Sequence, residues 1–177
     1  MDLKLLSEDN IYKEELISIL EILDDDTRDD ETTSDMSREL FISDNKTVTD
    51  KEALKIFYEN ITDNCIVALQ NNSVLGFSCV KKNDDFFDDV EEYYPHIAVT
   101  YSAVKPAYQQ KGIWTNIRTY IEENNSEIYS GAEYIVSAVS ENNIPSQNAN
   151  EKLGMNIVAE LDYGDELTYV YAKSIFK

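Results

Sequence analysis

Tyr108-Gln-Gln-Lys-Gly-Ile-Trp114 is the stretch on which the reading of this chain turns. It follows Ile97-Ala-Val-Thr-Tyr-Ser-Ala-Val104, a nearly continuous run of strand-formers and small residues that Pro106 ends, and it opens an amphipathic helical stretch running from about Gly112 to Tyr129. A strand, a short turn with a glycine and a helix start together point several backbone N–H groups one way. With the positive end of the helix dipole, those donors suit phosphate. One glycine alone does not make a phosphate cradle. The added weight comes from Asn143-Ile-Pro-Ser146 and Glu151-Lys-Leu-Gly-Met155 further along.

Outward from that turn, the apolar runs alternate between the two secondary-structure periods. Leu3–Leu6 reads as a short strand, with a helix starting after Ser7-Glu-Asp-Asn10 and carrying Leu16, Ile17, Ile19, Leu20 and Leu23 at helical spacing. Arg38 to Ile42 reads as a brief helix or strand, and Thr49-Asp50 as the cap of a helix from Lys51 to Tyr58. Cys65–Gln70 and Val74–Val80 flank the polar turn Asn71-Asn72-Ser73 as a hairpin. Ile97–Val104 and Tyr134–Val139 have the unbroken apolar character of strands buried on both faces. Pro145 begins a short helix through Leu153 with Gly154 as its stop, and strands Ile157–Asp162 and Leu167–Ala172 follow, joined by Tyr163-Gly-Asp165. The order is β-α-α-β-β-β-α-β-α-β-β, an α/β (α+β) chain with about four helices.

Composition narrows the classes. A chain of 177 residues with 42% hydrophobic content reads as one folded domain over residues 1–177, long enough to bury about 70% of its unfolded surface. The 35 acids against 15 bases give a net charge of −20, which repels nucleic acid and anionic membranes, so neither is expected as a partner. Acids concentrate in Asp24–Glu31, six of eight residues, and Asp84–Glu92, six of nine. Cys65 and Cys79 are too few for a disulfide framework and read as reduced, buried thiols, with no metal site. The chain opens without a basic segment and apolar run, and no apolar stretch nears the roughly 20 residues of a membrane span. A cytoplasmic protein is expected, as monomer or homodimer, with the C-terminal strands and Tyr163, Tyr169, Tyr171 and Phe176 either pairing in a dimer or lying in the core.

The two quoted segments resemble those of the GNAT-type N-acetyltransferase superfamily, whose first signature is usually written Arg/Gln-x-x-Gly-x-Gly/Ala. The resemblance covers most of the chain from about Val67 onward. It implies a mixed central sheet of about six or seven strands, splayed between two central parallel strands that here are Ile97–Val104 and Tyr134–Val139. It implies acetyl-CoA as co-substrate, with its pyrophosphate on Gln109, Gln110, Lys111, Gly112, Ile113 and Trp114 and with Thr115 on the first helical turn. Asn143 and Ser146 match the family's Asn-x-x-Ser/Ala, which serves the pantetheine arm, and the N–H near Val104 is the expected oxyanion donor. Lys105, Lys111, Arg118 and Lys152 lie in or beside these segments as local positive charge.

Three positions depart from the family pattern. Trp114 stands where Gly or Ala is usual, and Asn150 where a tyrosine often protonates the leaving thiolate; asparagine has no such proton to give. The place of a family glutamate base falls near Ala98, and His96, two residues earlier on the same strand face, is the candidate base. The resemblance implies an N-acetyltransferase acting by direct transfer on a cationic primary amine: an aminoglycoside, a polyamine, or a lysine or N-terminal peptide. The acidic segments would line its acceptor side. The alternatives are a non-catalytic acyl-CoA-binding or protein-interaction module of the same fold, and an acidic interaction protein without the cofactor site.

Overall fold

A computed structural model describes residues 1–7, 11–26, 33–42, 47–162, 164 and 166–175. Parts of the expected helix start at Ser7–Asn10 and of the acidic run Asp24–Glu31 lie outside the described residues, as do Tyr163, Asp165 and Phe176. Among the described residues, seven strands hydrogen-bond in the order β1 (Asp2–Ser7), β2 (Asn64–Gln70), β3 (Ser73–Lys82), β4 (His96–Val104), β5 (Tyr134–Ser140), β7 (Leu167–Ser174), β6 (Asn156–Asp162). Contacts gather the chain into two compact units, Met1–Cys79 with Tyr101–Ile117, and Val80–Thr100 with Arg118–Lys177.

In the first unit, β1 (Asp2–Ser7) runs antiparallel to β2 (Asn64–Gln70), in register from Asp2↔Leu69 to Ser7↔Asn64. Asn71 and Asn72 turn the chain into β3 (Ser73–Lys82) with φ of 52° and 63°. A two-residue hairpin turn of this hand needs two left-handed residues, and asparagine tolerates that conformation. The expected helices are α1 (Lys13–Asp26) and α3 (Asp50–Ile61), and the segment of undecided character is a helix, α2 (Thr33–Phe41). Leu16, Ile17, Ile19 and Leu20 of α1 and Leu54, Phe57 and Tyr58 of α3 pack with Val67, Leu69, Val74, Phe77 and Ala103. At the start of α3, Thr49 Oγ1 accepts the Glu52 N–H at 3.3 Å while the Thr49 N–H donates to the Glu52 carboxylate at 2.9 Å. This reciprocal pair satisfies two donors that the helix cannot. Cys65 and Cys79 are buried and free, and burial, then the neighbouring Cys65 thiol, pushes the Cys79 thiol well up, so Cys79 is inert as a nucleophile.

In the second unit, the first part of β4 (His96–Val104) pairs parallel with β5 (Tyr134–Ser140) through His96↔Tyr134, Ile97↔Ile135 and Ala98↔Val136, and no further. From Ser137 to Ser140, β5 keeps only its antiparallel neighbour β7 (Leu167–Ser174), in register from Tyr134↔Ser174 to Ser140↔Thr168. β6 (Asn156–Asp162) pairs with the far side of β7, with an irregularity between Ile157 and Ala159. One face of this sheet carries Ala98, Val136, Val170 and Ala172, covered by Phe87 and Val90 of a 3-10 segment, Asp85–Tyr93.

The helix expected through Tyr129 is two, α4 (Ile113–Glu123) and α5 (Asn125–Ile128). The break falls where Asn124 turns its side-chain amide back to the Tyr120 carbonyl at 2.9 Å and Asn125 does so to Glu122 at 2.7 Å. Such side chains offer the backbone an alternative to the helical ladder. Among the described residues, α2 and α5 raise the helix count to six, against about four expected.

Candidate functional site

Two regions carry the residues singled out in the sequence, one in each unit. In the first, β4 ends at Val104 and a 3-10 turn, Pro106–Tyr108, leads to α4. The turn is braced from within. Lys105 N–H donates to Leu75 C=O at 2.9 Å, Tyr108 N–H to Lys105 C=O at 2.8 Å, and the Gln109 side chain to Val104 C=O at 3.3 Å. Gln110 and Gly112 both adopt left-handed backbone, φ 60° and 75°. A Cβ on Gly112 would meet no heavy atom within 4 Å, so the glycine is required by conformation and faces open space. The backbone ladder of α4 begins at Asn116 N–H to Gly112 C=O, 3.0 Å, so the first-turn amides have no carbonyl four residues back. Gln109, Gln110, Lys111, Gly112 and Thr115 are exposed, Trp114 is half-buried, and Ile113 is buried and anchors the helix start. An exposed helix N-terminus behind two left-handed residues fits a phosphate group.

Two of the lysines expected as local positive charge, Lys105 and Lys111, are otherwise engaged. Lys105 Nζ pairs with the Glu15 carboxylate at 2.8 Å, and the same oxygen accepts the Val74 N–H at 3.0 Å and the Ser73 hydroxyl at 3.1 Å. Burial alone would raise the Glu15 carboxyl; the hydrogen bonds from Lys105 and Val74 outweigh it and hold the group below its usual range. Lys111 Nζ turns back to Ala107 C=O at 2.8 Å, 5.0 Å from the centre of the Tyr108 ring.

In the second unit, Asn143 caps α6 (Ile144–Lys152) by accepting the Ser146 N–H at 3.2 Å, with Pro145 in the first turn. The two matched residues of the second segment therefore fix one helix N-terminus together. The helix stops at Gly154, φ 76°, where Met155 N–H returns to Asn150 C=O at 3.1 Å. Lys173 closes that end, giving its ammonium to Leu153 C=O and to Glu122, both at 2.7 Å.

Arg118 is not a surface base. Only 2% exposed, it donates to Asn150 Oδ1 at 2.7 Å and Ser137 Oγ at 3.3 Å and touches Met155 Sδ at 3.1 Å. Burial draws its guanidinium down to about 10, with Glu122 acting the other way, so it stays charged at neutral pH. Asn150 is the acceptor at the centre of this cluster, and the Ser137 hydroxyl also reaches its Oδ1 at 3.3 Å. Sequence reasoning placed Asn150 by what it lacks and passed over Ser137. The cluster had no sequence signal beyond a base and an amide in neighbouring helices.

His96 and Ala98 share a sheet face, as their spacing predicts, and His96 is 0% exposed. Its ring lies 5.4 Å from Phe87 and 4.4 Å from Tyr94, centre to centre. Among the described residues neither ring nitrogen has a hydrogen-bond partner. Burial moves the imidazole below its usual pKa, against the Tyr93 carbonyl, the Asp88 charge and the Asp84 carbonyl. The acidic segment over it is itself ordered: the Tyr94 hydroxyl donates to Asp88 Oδ1 at 2.8 Å, and Asp84 caps the 3-10 turn at the Phe86 N–H. Among the described residues no group of histidines, cysteines and carboxylates is arranged to hold a metal ion. None of the described helices is long and apolar enough to cross a membrane.

The whole chain is similar in fold to several acetyltransferases of known structure. An aminoglycoside 6'-N-acetyltransferase complexed with coenzyme A shares 14% identity at a TM-score of 0.66, over 100% of this chain and 98% of that one. The ribosomal-protein-S18-alanine N-acetyltransferase of Escherichia coli shares 14% at 0.63, over 99% and 96%. The yncA protein of Salmonella typhimurium, crystallised with its cofactor acetyl-CoA, shares 18% at 0.61, over 99% and 95%. No curated protein sequence matches this chain. The sequence model of the acetyltransferase (GNAT) family matches residues 17–155, which takes in the glycine turn, the Asn143–Ser146 cap and the Glu151–Met155 helix end, and the chain belongs to that family.

Proposed function

We propose that the protein transfers an acetyl group from acetyl-CoA to a primary amine of a cationic acceptor. The observation that carries the acceptor class is the row of exposed carboxylates Asp85, Asp88, Asp89, Glu91 and Glu92 on the segment over the second sheet face. Such a row attracts a polycation and holds its remaining ammonium groups. Two relatives similar in fold are named for amine acceptors, an aminoglycoside and a protein alanine.

Bound acetyl-CoA supplies the activated thioester. The chain's own part is positional. The amides from Gln109 to Thr115 take the pyrophosphate, with Gly112 supplying conformation and Ile113 the anchor. Val104 N–H is the donor for the thioester oxygen. The side of β5 from Ser137 to Ser140 that lacks a strand partner accepts an extended arm as an added strand would be, beside the α6 cap formed by Asn143 and Ser146. A neutral amine held against the carbonyl needs little more than orientation. While the 3-10 segment lies over it, the His96 ring is buried and has no part in this reading of the transfer.

Thiol release from acetyl-CoA against aminoglycosides, polyamines and lysine-rich or N-terminal peptides tests the reading. Turnover is expected with one cationic class, with an acceptor KM that rises with salt. A triple variant, Asp89→Asn, Glu91→Gln and Glu92→Gln, is expected to raise acceptor KM and leave that for acetyl-CoA unchanged. Acetyl-CoA binding with no thiol release across the panel would favour the non-catalytic module instead.

A further inference from the structure

Several of the contacts that hold the segment 84–94 over the second sheet face converge on His96. Asn83 N–H donates to His96 C=O at 3.1 Å and His96 N–H returns to Asn83 Oδ1 at 2.9 Å, while the Asn83 amide also donates to the Tyr129 hydroxyl at 2.9 Å. Beyond that clamp, Phe87 and Tyr94 both lie against the imidazole, and Phe87 and Val90 cover Ala98, Val136, Val170 and Ala172. A neutral imidazole suits this pocket. A charged one is poorly served there: the ring is 0% exposed, and burial outweighs the Tyr93 carbonyl, the Asp88 charge and the Asp84 carbonyl that favour the proton. Asp88, the acid whose charge acts on it, already accepts the Tyr94 hydroxyl.

We infer that His96 is a pH-sensitive latch: with its ring neutral the segment 84–94 is closed over the sheet face, and when the ring takes a proton the segment lifts so that the charge can reach water. The groups facing His96 are Asp84, Asp88, Tyr93 and Tyr94 from the segment and Tyr134 from β5, its register partner. Asp84 is also near Lys81, at 3.9 Å, and burial raises its carboxyl, so its titration must be separated from that of the histidine. The sign follows from linkage. The closed-state imidazole has the lower pKa, so closure is complete above the open-state value of about 6.5 and weakens as pH falls, by up to about tenfold per unit down to the closed-state value.

Hydrogen exchange reads this without reference to turnover. The reporters are the amides of Asn83, Phe87 and Tyr94, bonded to His96, Asp84 and Glu91, and the control is Leu16 in α1. After correction for intrinsic rates, their protection in the wild type is expected to fall between about pH 7.5 and 5 by up to about tenfold per unit, while Leu16 keeps its own. His96→Phe and His96→Gln, whose folding is checked by circular dichroism, are expected to flatten that dependence. Asp88→Asn, which keeps an acceptor for Tyr94, is expected to retain it. Unchanged protection in the wild type overturns the latch. So does a dependence that survives both histidine variants, or one that Asp88→Asn abolishes.

Discussion

Gly76 sits in the middle of β3 with no special backbone angle, and its substitution tests how tightly the end of β4 is held. A Cβ built there lies 2.8 Å from Ala103 O, 3.0 Å from Val104 Cγ2 and 3.1 Å from Val104 Cα. Two of those three atoms belong to backbone, so a rotamer change cannot relieve the contact. To reach an ordinary separation the strands must part by about 0.5 Å or more, in a close-packed region where such a shift is resisted. The hydrogen bond from Lys105 N–H to Leu75 C=O, 2.9 Å, lies next to the strained point and would be stretched by the same movement. Overpacking of this kind costs about 1–3 kcal/mol. At about 3 °C per kcal/mol for a chain of this size, Gly76→Ala should melt about 3–9 °C below the wild type. Urea denaturation gives the free energy directly, and acetyl-CoA affinity followed by fluorescence of Trp114, the single tryptophan, reports whether the glycine turn moves with the strand. Affinity should weaken. Adding Val104→Ala removes only the Cγ2 contact, so the double variant should recover part of the loss and no more. A Gly76→Ala protein that melts with the wild type would show that the strand yields freely and refute the argument.

Three further outcomes follow from named contacts. Glu15 has a folded pKa below its unfolded one, so its contribution to stability is present above the unfolded value and is lost as pH falls through the folded one; urea midpoints of the wild type should drop in that acid range more than those of Glu15→Gln. Arg118→Met leaves Asn150 Oδ1 with the Ser137 hydroxyl as a weak donor in a buried place, a loss of about 1–3 kcal/mol in chemical denaturation. Thr49→Ala removes one arm of the capping box and should cost about 1 kcal/mol by the same measurement, with activity unchanged.

The legible parts of the sequence were those with a period or a punctuating residue. Leu16, Ile17, Ile19 and Leu20 mark a helix face by spacing, Asn71-Asn72 a hairpin, and Pro145 and Gly154 the ends of α6, and each lies where its local chemistry puts it. The strand run Ile97–Val104 and the glycine after it marked the turn proposed to take the phosphate. What the sequence hid was inward-facing polarity. Arg118 falls on a helix whose other polar residues are largely exposed, and only the packing of Ser137, Asn150 and Met155 around it makes it a core residue. His96 beside a proline looks like a surface residue; it is buried against Phe87 and Tyr94, which belong to a segment read as an acidic stretch. Gly76 gave no signal, because nothing near it in the chain says that the β4 backbone passes within 3 Å.

The fate of the bases decides how a chain of charge −20 holds a polyanion. Lys105 is spent on Glu15, Arg118 on Asn150 and Ser137, and Lys111 curls onto the Ala107 carbonyl. What remains at the turn are neutral donors, the amides around Gly112 and the positive end of α4, whose strength depends on alignment rather than on net charge. The two mechanisms differ in sign under salt. Phosphate held by lysines would be lost as salt displaces it, as in any contact that releases counterions. Phosphate held by oriented amides against a negative field should be retained or gained, because salt screens the repulsion from the distant acids more than it screens contacts at hydrogen-bond range. Acetyl-CoA titrated against Trp114 fluorescence at rising salt should therefore show a flat or tightening dissociation constant, while the acceptor KM rises. A steep loss of acetyl-CoA affinity would mean that Lys111 swings out to the phosphates and that the turn relies on charge after all.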